Sequence, residues 1–226
     1  MSNTFDIDLH DGHLIFILDG LKVLVDTGCP VTISKQNTFR FMGSEYWCQT
    51  SFGGRNINSI SQLMNYDIDV FMGMDIIKNF YILTDYKHRQ VSFSLEPIPI
   101  EPLCSIPILR GNMGEVCVNL VVKGNTLKLA LDTGARISYI AESFTQGEII
   151  LEIKDDFNPI VGNYQTPIFA MEATIGSQTF PVNFGTLPSM LAMPMQMMGI
   201  SGAIGYDLYH AFTVLMDFKH NILSIK

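Results

Sequence analysis

Two stretches of the chain share one order of residue types, an apolar run followed by Asp-Thr-Gly. The first ends in Asp26-Thr27-Gly28 and the second in Asp132-Thr133-Gly134. Where two such turns meet, their carboxyls share one proton, because two carboxylates a few ångströms apart cannot both ionise. The ionised member then acts as a general base on a water molecule, and the protonated member donates a hydrogen bond to a substrate carbonyl.

A single Asp-Thr-Gly is only a weak indication of this chemistry. The tripeptide arises by chance in about one chain of this length in twenty-five, and Asp-x-Gly also serves as a plain turn in which the aspartate caps its own backbone. The sequence has no His-Glu-x-x-His motif, and its cysteines form no Cys-x-x-Cys pair. We therefore expect no metal, no cofactor and four free thiols. The cysteines are Cys29, Cys48, Cys104 and Cys117.

The two motifs lie at equivalent places of an internal repeat. Residues 71–80 and 203–212 carry Gly, Asp and Phe at the same spacing, and residues 21–28 and 127–134 match as well. A repeat of this kind indicates a duplicated structural unit. We therefore predict a first lobe over residues 1–95, a proline-rich connector over residues 96–105 and a second lobe over residues 106–226.

Short apolar runs bounded by turn residues predict that both lobes consist mainly of β-strands. One helix is predicted in each lobe, over Met74–Phe80 and Tyr206–Phe212, where Asp75 and Asp207 lie near the helix N-termini. Short strands at close spacing favour an all-β sandwich or barrel lobe over a parallel βαβ sheet. The runs are Phe5–Leu9, His13–Leu18, Lys22–Val25, Val116–Val122, Leu127–Leu131, Ile168–Ile175 and Thr179–Phe184.

These motifs resemble those of the pepsin and retropepsin superfamily of aspartic peptidases. The resemblance occurs once in each copy of the repeat and covers nearly the whole chain. The matching segments are Val25-Asp26-Thr27-Gly28, Leu131-Asp132-Thr133-Gly134, Phe71-Met72-Gly73 and Ala203-Ile204-Gly205. The resemblance implies a bilobal acid-protease fold, in which two β-barrel-like lobes with a short helix each are related by a pseudo-two-fold axis. It further implies a single-chain form with two retropepsin-sized lobes.

The resemblance also implies roles for individual residues. Asp26 and Asp132 would be the catalytic dyad. The two threonines of the motifs would exchange hydrogen bonds across the lobe interface, and Gly73 and Gly205 would lie behind the turns, where a side chain would clash. The residues that support the catalytic turns would be Thr27, Gly28, Thr133 and Gly134.

A flap, a hairpin that closes over the substrate and excludes water, is a further implication of the resemblance. The spacer between Asp-Thr-Gly and the later glycine is 26 positions longer in the second lobe. Residues 160–165 have a glycine and an aromatic residue near a turn, so we predict one flap there, with Gly162, Asn163 and Tyr164 at the substrate. The alternative is that Gly162-Asn163 is an ordinary surface turn and that Phe52-Gly53-Gly54 is a short flap of the first lobe.

Part of the longer spacer is rich in methionine. Thioethers could bind copper, or they could form an adaptable apolar wall beside the cleft. Because the segment has two prolines and no nearby His or Cys, we expect a loop that packs on the second lobe. The methionines are Met190, Met193, Met195, Met197 and Met198.

The composition is that of a globular protein, with 47% hydrophobic and 16% charged residues among 226. The net charge is −8 and no cluster of Lys and Arg occurs, which argues against a nucleic-acid partner. The sequence shows neither a signal-peptide pattern nor an apolar run of membrane-spanning length. We expect a cytoplasmic monomer, unless a leader has been removed, with a peptide or protein substrate between its lobes and no membrane partner.

Two functions are compatible with these features. The first is an aspartic endopeptidase that uses the Asp26/Asp132 dyad, and the second is a catalytically weak or inactive peptide-binding or scaffold module with a protease fold. The intact aspartates, threonines and glycines of both motifs favour the enzyme. A first lobe without a flap would favour the module, because it would exclude water less well.

The residue after each Asp-Thr-Gly predicts the pH range of activity. In pepsins this residue is usually Ser or Thr, whose hydroxyl bonds a carboxylate oxygen, whereas this chain has Cys29 and Ala135. Losing those donors destabilises the charged form of the dyad and raises its apparent pKa values. We expect cleavage to extend closer to neutral pH than in pepsin. A kcat/KM profile confined to strongly acidic pH would contradict this expectation.

Overall fold

The computed structural model describes residues 2–159 and 161–226, and strands dominate this part of the chain. They form one ten-stranded sheet, one eight-stranded sheet and two small hairpins. We refer to residues 2–95 as the first half of the chain and to residues 104–226 as the second half.

The described part of the first half contains eleven strands and two helices. The strands are β1 (Ser2–His10), β2 (His13–Leu18), β3 (Leu21–Val25), β4 (Ile33–Ser34), β5 (Thr38–Phe41), β6 (Ser44–Trp47), β7 (Ser51–Phe52), β8 (Arg55–Asn56), β9 (Val70–Met72), β10 (Tyr81–Asp85) and β11 (Gln90–Ser94). The helices are α1 (Ile57–Met64) and α2 (Met74–Ile77).

The second half contains the same number of described strands. They are β12 (Cys104–Pro107), β13 (Leu109–Arg110), β14 (Val116–Val122), β15 (Asn125–Leu131), β16 (Ser138–Ile140), β17 (Glu152–Asn158), β18 (Gly162–Ile175), β19 (Gln178–Thr186), β20 (Gly202–Ile204), β21 (Val214–Asp217) and β22 (Ile222–Ile225). The helices are α3 (Ser189–Met197) and α4 (Tyr206–Ala211), with a short 3₁₀ helix at Glu142–Phe144.

Tight turns connect the strands that lead to each Asp-Thr-Gly. Asp11-Gly12 joins β1 to β2, and Asp19-Gly20 joins β2 to β3, with positive φ at all four residues. Two successive positive φ angles define the type I′ turn, whose twist matches that of a hairpin. Lys123-Gly124 connects β14 to β15 in the same way. These turns set the register of the strands that carry the two motifs.

In each half, the strand that ends in Asp-Thr-Gly runs parallel to the strand that ends in the apolar-apolar-Gly segment. Val25 of β3 pairs with Met72 of β9, and Leu131 of β15 pairs with Ile204 of β20. All four side chains are fully buried. This pairing places Gly73 and Gly205 against the chain that leaves the two turns.

Strands of both halves join in one continuous sheet. β10 pairs antiparallel with β21, from Tyr81 opposite Asp217 to Thr84 opposite Val214. The order through this region is β12-β22-β21-β10-β11-β1, so three strands of each half lie side by side. Buried apolar side chains of both halves form one cluster. The shared sheet thus fixes the position of one half relative to the other.

The strand predictions are confirmed. Each of the seven apolar runs lies within a strand of the structure. The two predicted helices are present as α2 and α4, and each is shorter than predicted.

Helix α1 is an element that the periodicity of the sequence did not predict. The Asn56 side chain accepts the N–H of Ser59, and the Ser59 hydroxyl accepts the N–H of Asn56, both at 3.0 Å. This reciprocal pair is a capping box, with Ser in the place of the usual Glu or Gln. Ile57, Ile60 and Met64 face the core. A helix of eight residues is too short to show a clear helical period.

The methionine-rich segment forms helix α3, so the expectation of a loop was wrong. Pro194 lies inside this helix and Pro188 precedes it, with the Pro188 carbonyl accepting from Leu191 and Ala192 at 2.8 and 2.9 Å. Met, Leu, Ala and Gln are strong helix formers, and they outweigh one internal proline. With nine residues α3 is the longest described helix, so none in the described chain could cross a membrane. Met190, Met193 and Met197 are exposed.

A substitution at Gly205 tests how closely the chain packs behind the second turn. A Cβ on Gly205 would lie 2.8 Å from the Ala135 Cβ and closer still to the Ala135 carbonyl oxygen. We expect Gly205→Ala to lower the free energy of unfolding by about 3 kcal/mol or more, because backbone atoms at this distance cannot relax cheaply. Urea denaturation measures the loss.

Gly124→Ala is the matched control. Gly124 has a φ of +75° and open space where a Cβ would be. Its substitution should cost only the strain of a left-handed residue, about 1–2 kcal/mol. Equal losses in the two variants would contradict the close packing at Gly205.

Candidate active site

Asp26 and Asp132 lie where the chain leaves β3 and β15. The N–H of Asp26 donates to the Met72 carbonyl at 2.9 Å, and the N–H of Asp132 donates to the Ile204 carbonyl at 3.0 Å. The parallel neighbouring strand therefore fixes the backbone of each aspartate. Both residues are half-buried, so each keeps an edge open to solvent.

Backbone N–H groups of the turns bind each carboxyl group. Gly28 and Cys29 donate to Asp26 Oδ1 at 2.6 and 3.0 Å, and Gly134 donates to Asp132 Oδ1 at 2.9 Å. These bonds favour the charged form and orient each carboxyl group. The turns thus hold the two side chains in defined positions before any substrate arrives.

The structure brings the two carboxyl groups into contact with the opposite turns. A Cβ on Gly28 would lie 2.6 Å from Asp132 Oδ2, and a Cβ on Gly134 would meet the Asp26 carboxyl group at a similarly short distance. Only glycine fits at either position, because any other residue would displace the facing carboxyl group.

The two threonines form a symmetric set of buried hydrogen bonds between the turns. The N–H of Thr27 donates to Thr133 Oγ1 at 3.0 Å, and the N–H of Thr133 donates to Thr27 Oγ1 at 3.0 Å. Each hydroxyl in turn donates to the strand of the other half, Thr27 to the Leu131 carbonyl at 2.6 Å and Thr133 to the Val25 carbonyl at 2.8 Å. Four bonds therefore tie the turns together directly below the aspartates.

The helix aspartates have a second role besides their place near a helix N-terminus. Asp75 accepts from the Thr32 hydroxyl at 2.6 Å, and the same hydroxyl accepts from the N–H of Gly73 at 3.0 Å. This trio links the chain after the first turn to the start of α2. Ser138, Asp207 and Gly205 repeat the trio in the second half.

Burial raises the pKa values of both carboxyl groups. Burial raises the pKa of Asp26 well above its usual range, and the neighbouring Asp132 carboxyl group adds to the rise. Burial likewise raises the pKa of Asp132. The two groups therefore titrate as one unit that retains a proton to a higher pH than an isolated aspartate does.

The Cys29 thiol does not take the place of a serine hydroxyl at the carboxylate. It donates to the Val31 carbonyl at 3.2 Å. Burial raises the pKa of Cys29 to about 12, so the thiol stays protonated. Asp26 thus receives only backbone donors at this position.

Strands β17 and β18 form the hairpin in which the flap was predicted. Gly162 pairs with Asn158, Asn163 with Phe157 and Tyr164 with Asp156, so the three predicted residues start the returning strand. Ile160 of the predicted segment lies outside the described residues. The hairpin is long, because its strands remain paired from residues 158 and 162 back to residues 152 and 168.

A short hairpin is also present in the first half, at the Phe52-Gly53-Gly54 segment of the alternative interpretation. Phe52 pairs with Arg55 across the Gly53-Gly54 turn, and each strand has two residues. Arg55 Nε donates to the Pro159 carbonyl at 2.8 Å. The short hairpin therefore meets the tip region of the long one.

Arg136 connects three parts of the structure. Its Nε donates to Asp156 Oδ1 at 2.7 Å, and its terminal nitrogens contact Asp11 Oδ2 and the Asp155 carbonyl oxygen. Asp11 belongs to the turn between β1 and β2, and the other two belong to β17. Because Arg136 follows Asp132 by four positions, one side chain ties the second turn to the long hairpin and to the first half.

Asp156 is the buried centre of a polar cluster. Only 7% of this residue is exposed. Besides Arg136, it accepts from the hydroxyl of Tyr139. The Tyr164 hydroxyl donates to the Tyr139 hydroxyl at 2.8 Å and lies 3.4 Å from Asp156 Oδ2. Arg136 is thus the cationic partner of a buried carboxyl group, and its loss would remove that ion pair from the cluster.

His13 of β2 is buried, and its ring lies 5.9 Å from the ring of Phe157 in β17, measured between ring centroids. Burial lowers its pKa to about 4, so the ring is neutral near pH 7, and the nearby Asp156 carboxyl group opposes that shift in part. Its Nδ1 has no hydrogen-bond partner among the residues that the structure describes. His13 therefore adds a contact between the halves.

Four residues of this site were not predicted from the sequence. One feature of the sequence does point to this cluster: Arg136 is a charged residue in the otherwise uncharged stretch that follows the second motif. Its partners lie far away in the sequence, and nothing local indicates them. The residues are His13, Arg136, Tyr139 and Asp156.

No family model matches the sequence, and no curated protein matches it. Among solved structures, the chain is similar over 100% of its length to an aspartic proteinase from Irpex lacteus, with 10% identity, 97% of that chain covered and a TM-score of 0.57. A retropepsin-like aspartic protease from Rickettsia conorii is 19% identical, with 54% of this chain and 89% of that chain covered and a TM-score of 0.40. The Simian Foamy Virus (mac) protease is 19% identical, with 36% and 94% covered and a TM-score of 0.27.

The full-length similarity shows that this chain has the fold of an aspartic protease. The predicted all-β fold is thereby confirmed. Chemically, a pair of facing carboxyls that shares a proton can activate one water molecule and polarise one carbonyl group.

The raised pKa of Asp26 predicts how stability depends on pH. In the unfolded chain this carboxyl group ionises near its ordinary pKa, whereas the folded state holds the proton to higher pH. The stabilisation that this group contributes is therefore fully present at pH values below its unfolded pKa. It is lost as pH rises through the folded pKa. The Asp26→Asn variant has no carboxyl group to ionise here, so it does not lose this stability as pH rises. We therefore expect its melting temperature at pH 8 to exceed that of the wild type by about 2 °C or more.

The exposed Asp6→Asn is the control and should change the melting temperature little. The advantage of Asp26→Asn should shrink as pH falls and disappear below about pH 3. An Asp26→Asn variant that is less stable than the wild type at pH 8 would contradict the raised pKa.

Proposed function

We propose that this protein is a single-chain aspartic endopeptidase whose catalytic dyad is Asp26 and Asp132. One observation carries the proposal, the contact of each carboxyl group with the glycine of the opposite turn. The buried hydrogen bonds between Thr27 and Thr133 support it, because they hold the turns rigid as preorganised catalysis requires. Gly28 and Gly134 complete the turns.

In the proposed reaction, the ionised carboxylate removes a proton from a water molecule as its oxygen attacks the substrate carbonyl carbon. The protonated carboxyl group donates its hydrogen bond to the carbonyl oxygen, which becomes a hydroxyl of the tetrahedral intermediate. The carboxyl group that took the proton from water then passes it to the amide nitrogen, and a hydroxyl of the intermediate returns its proton to the other carboxylate as the carbon–nitrogen bond breaks. The carboxylic acid and amine products then leave. The dyad ends with one shared proton, as it began.

The substrate is proposed to be an extended peptide that lies between the dyad and the β17–β18 hairpin. Such a peptide pairs with backbone groups like an added strand, and pockets accept alternate side chains. Gly162, Asn163 and Tyr164 are the proposed hairpin contacts. Because the Tyr164 hydroxyl is engaged with Tyr139, the ring of Tyr164 is the part proposed to meet the substrate. Apolar side chains beside the cut are the default preference.

The proposed enzyme needs no partner subunit, metal or cofactor. We propose lobes over residues 1–95 and 106–226, joined by a connector over residues 96–105, with one aspartate of the dyad in each. A monomer would then contain the complete site.

The test is cleavage of a denatured protein or peptide library by the wild type and by Asp26→Asn and Asp132→Asn. We expect either substitution to lower kcat/KM by about a thousandfold or more, because each removes a group that acts in the reaction. The Asp6→Asn control should retain activity. Cleavage that survives in either dyad variant would contradict the assignment of that residue.

Pepstatin binding separates the enzyme from the alternative function. An enzyme should bind pepstatin and lose cleavage in its presence. Binding of peptides without turnover by the wild type at any pH would instead support a peptide-binding or scaffold module.

A further inference from the structure

A cavity of about 320 Å³ lies between the halves, beside the second Asp-Thr-Gly turn. Its size is at the lower end of the range for ligand sites, about 300–1,000 Å³. The turn between β1 and β2, helix α1 and the β17–β18 hairpin form its walls. Its polar lining consists of Asp11, His13, Arg136, Asp155, Asp156 and Asn163.

Carboxylates outnumber cations in this cavity, three to one. The guanidinium of Arg136 is already engaged by Asp11, Asp156 and the Asp155 carbonyl oxygen. The Asp155 carboxylate accepts only from the neutral amide of Gln165, at 2.9 Å, among the contacts of the described residues. The cavity therefore retains uncompensated negative charge at its exposed end.

His13 adds a buried ring nitrogen without a hydrogen-bond partner to the inner wall, among the described residues. Its ring lies 5.9 Å from the ring of Phe157 between ring centroids, and its buried Nδ1 has no hydrogen-bond partner within the described chain. A neutral ring carries its hydrogen on one nitrogen only, so in the tautomer that is protonated at Nε2 the Nδ1 atom presents a free lone pair to the cavity. A buried lone pair of this kind favours a ligand that donates a hydrogen bond.

The remaining lining is apolar. Leu63 and Met64 of α1 come from the first half, and Phe157 of β17 comes from the second. Such a surface suits the methylene stem of a long side chain whose charged end reaches polar groups. A metal ion does not suit the cavity, because no three His, Cys, Asp or Glu side chains converge anywhere in the described residues.

The cavity is close to the reacting groups. Arg136 of the cavity lining lies two residues after Gly134 of the catalytic turn, and Asp156 adds to the rise that burial causes in the pKa of Asp132. A substrate strand bound under the β17–β18 hairpin would place one of its side chains here.

We propose that this cavity is a specificity subsite that accepts a lysine or arginine side chain of the substrate, with Asp155, Asp11 and His13 Nδ1 as the recognising groups. This inference rests on the proposed function, since it names the substrate class of the same cleft. The enzyme then prefers a basic residue at one fixed position near the cut.

The test compares peptides that differ only by Lys, Met or Glu at each of the three positions on either side of the cut. We expect kcat/KM at one position to favour Lys over Met by about fivefold, the effect of one partly exposed ion pair. In Asp155→Asn this preference should fall to about twofold or less. In Asp155→Lys it should reverse in favour of Glu. The exposed Glu172→Gln lies outside the cavity lining and should keep the wild-type preference.

A binding measurement keeps this proposal separate from the proposed function. Fluorescence anisotropy of labelled Lys and Met peptides gives Kd for the wild type and for Asp155→Asn. Absence of all cleavage would defeat the proposed function, while a Kd preference for Lys that Asp155→Asn abolishes would still support the subsite. Equal kcat/KM and equal Kd for Lys and Met at every position would overturn the subsite.

Discussion

The contact between two like carboxyl groups is the constraint on which the rest of this structure depends. Each group loses water and repels the other, so the pair is stable only where other bonds hold it. Backbone N–H groups of the turns supply part of that stabilisation. The reciprocal hydrogen bonds of Thr27 and Thr133 fix the position of one turn relative to the other. Neither threonine can form its hydrogen bonds unless the opposite turn is in place.

Because the turns come from different halves, the site exists only if the halves are held in register. The shared sheet achieves this by pairing β10 with β21. Within each half, a parallel strand pair then fixes the aspartate backbone from behind. Gly73 and Gly205 allow this pair to approach the turn closely. The site thus needs both the pairing of β10 with β21 and the close approach of the chain at the two glycines. Loss of either would separate the carboxyl groups.

The centre is symmetric, but its surroundings are not. Arg136 ties the long hairpin to the second turn and to the β1–β2 turn, and Pro30 occupies the equivalent position after the first turn. Tyr139 binds Asp156 from a position where the first half has Ile33. The half that has these two polar residues also has the longer hairpin. A long hairpin needs polar side chains that bind it to the rest of the structure, whereas a hairpin with two-residue strands does not.

This asymmetry explains which parts of the structure the sequence predicts. Strands, I′ turns and the positions of Asp26 and Asp132 follow from local patterns that occur twice, so the repeat itself reveals them. The cluster around Arg136 joins residues more than a hundred positions apart, such as Asp11, and it occurs once. A repeat cannot reveal what only one copy has. In a duplicated chain, therefore, the positions where the copies agree indicate the shared chemistry. The positions where a polar residue replaces an apolar one or a proline, as at Arg136 and Tyr139, indicate where one copy has acquired its own role.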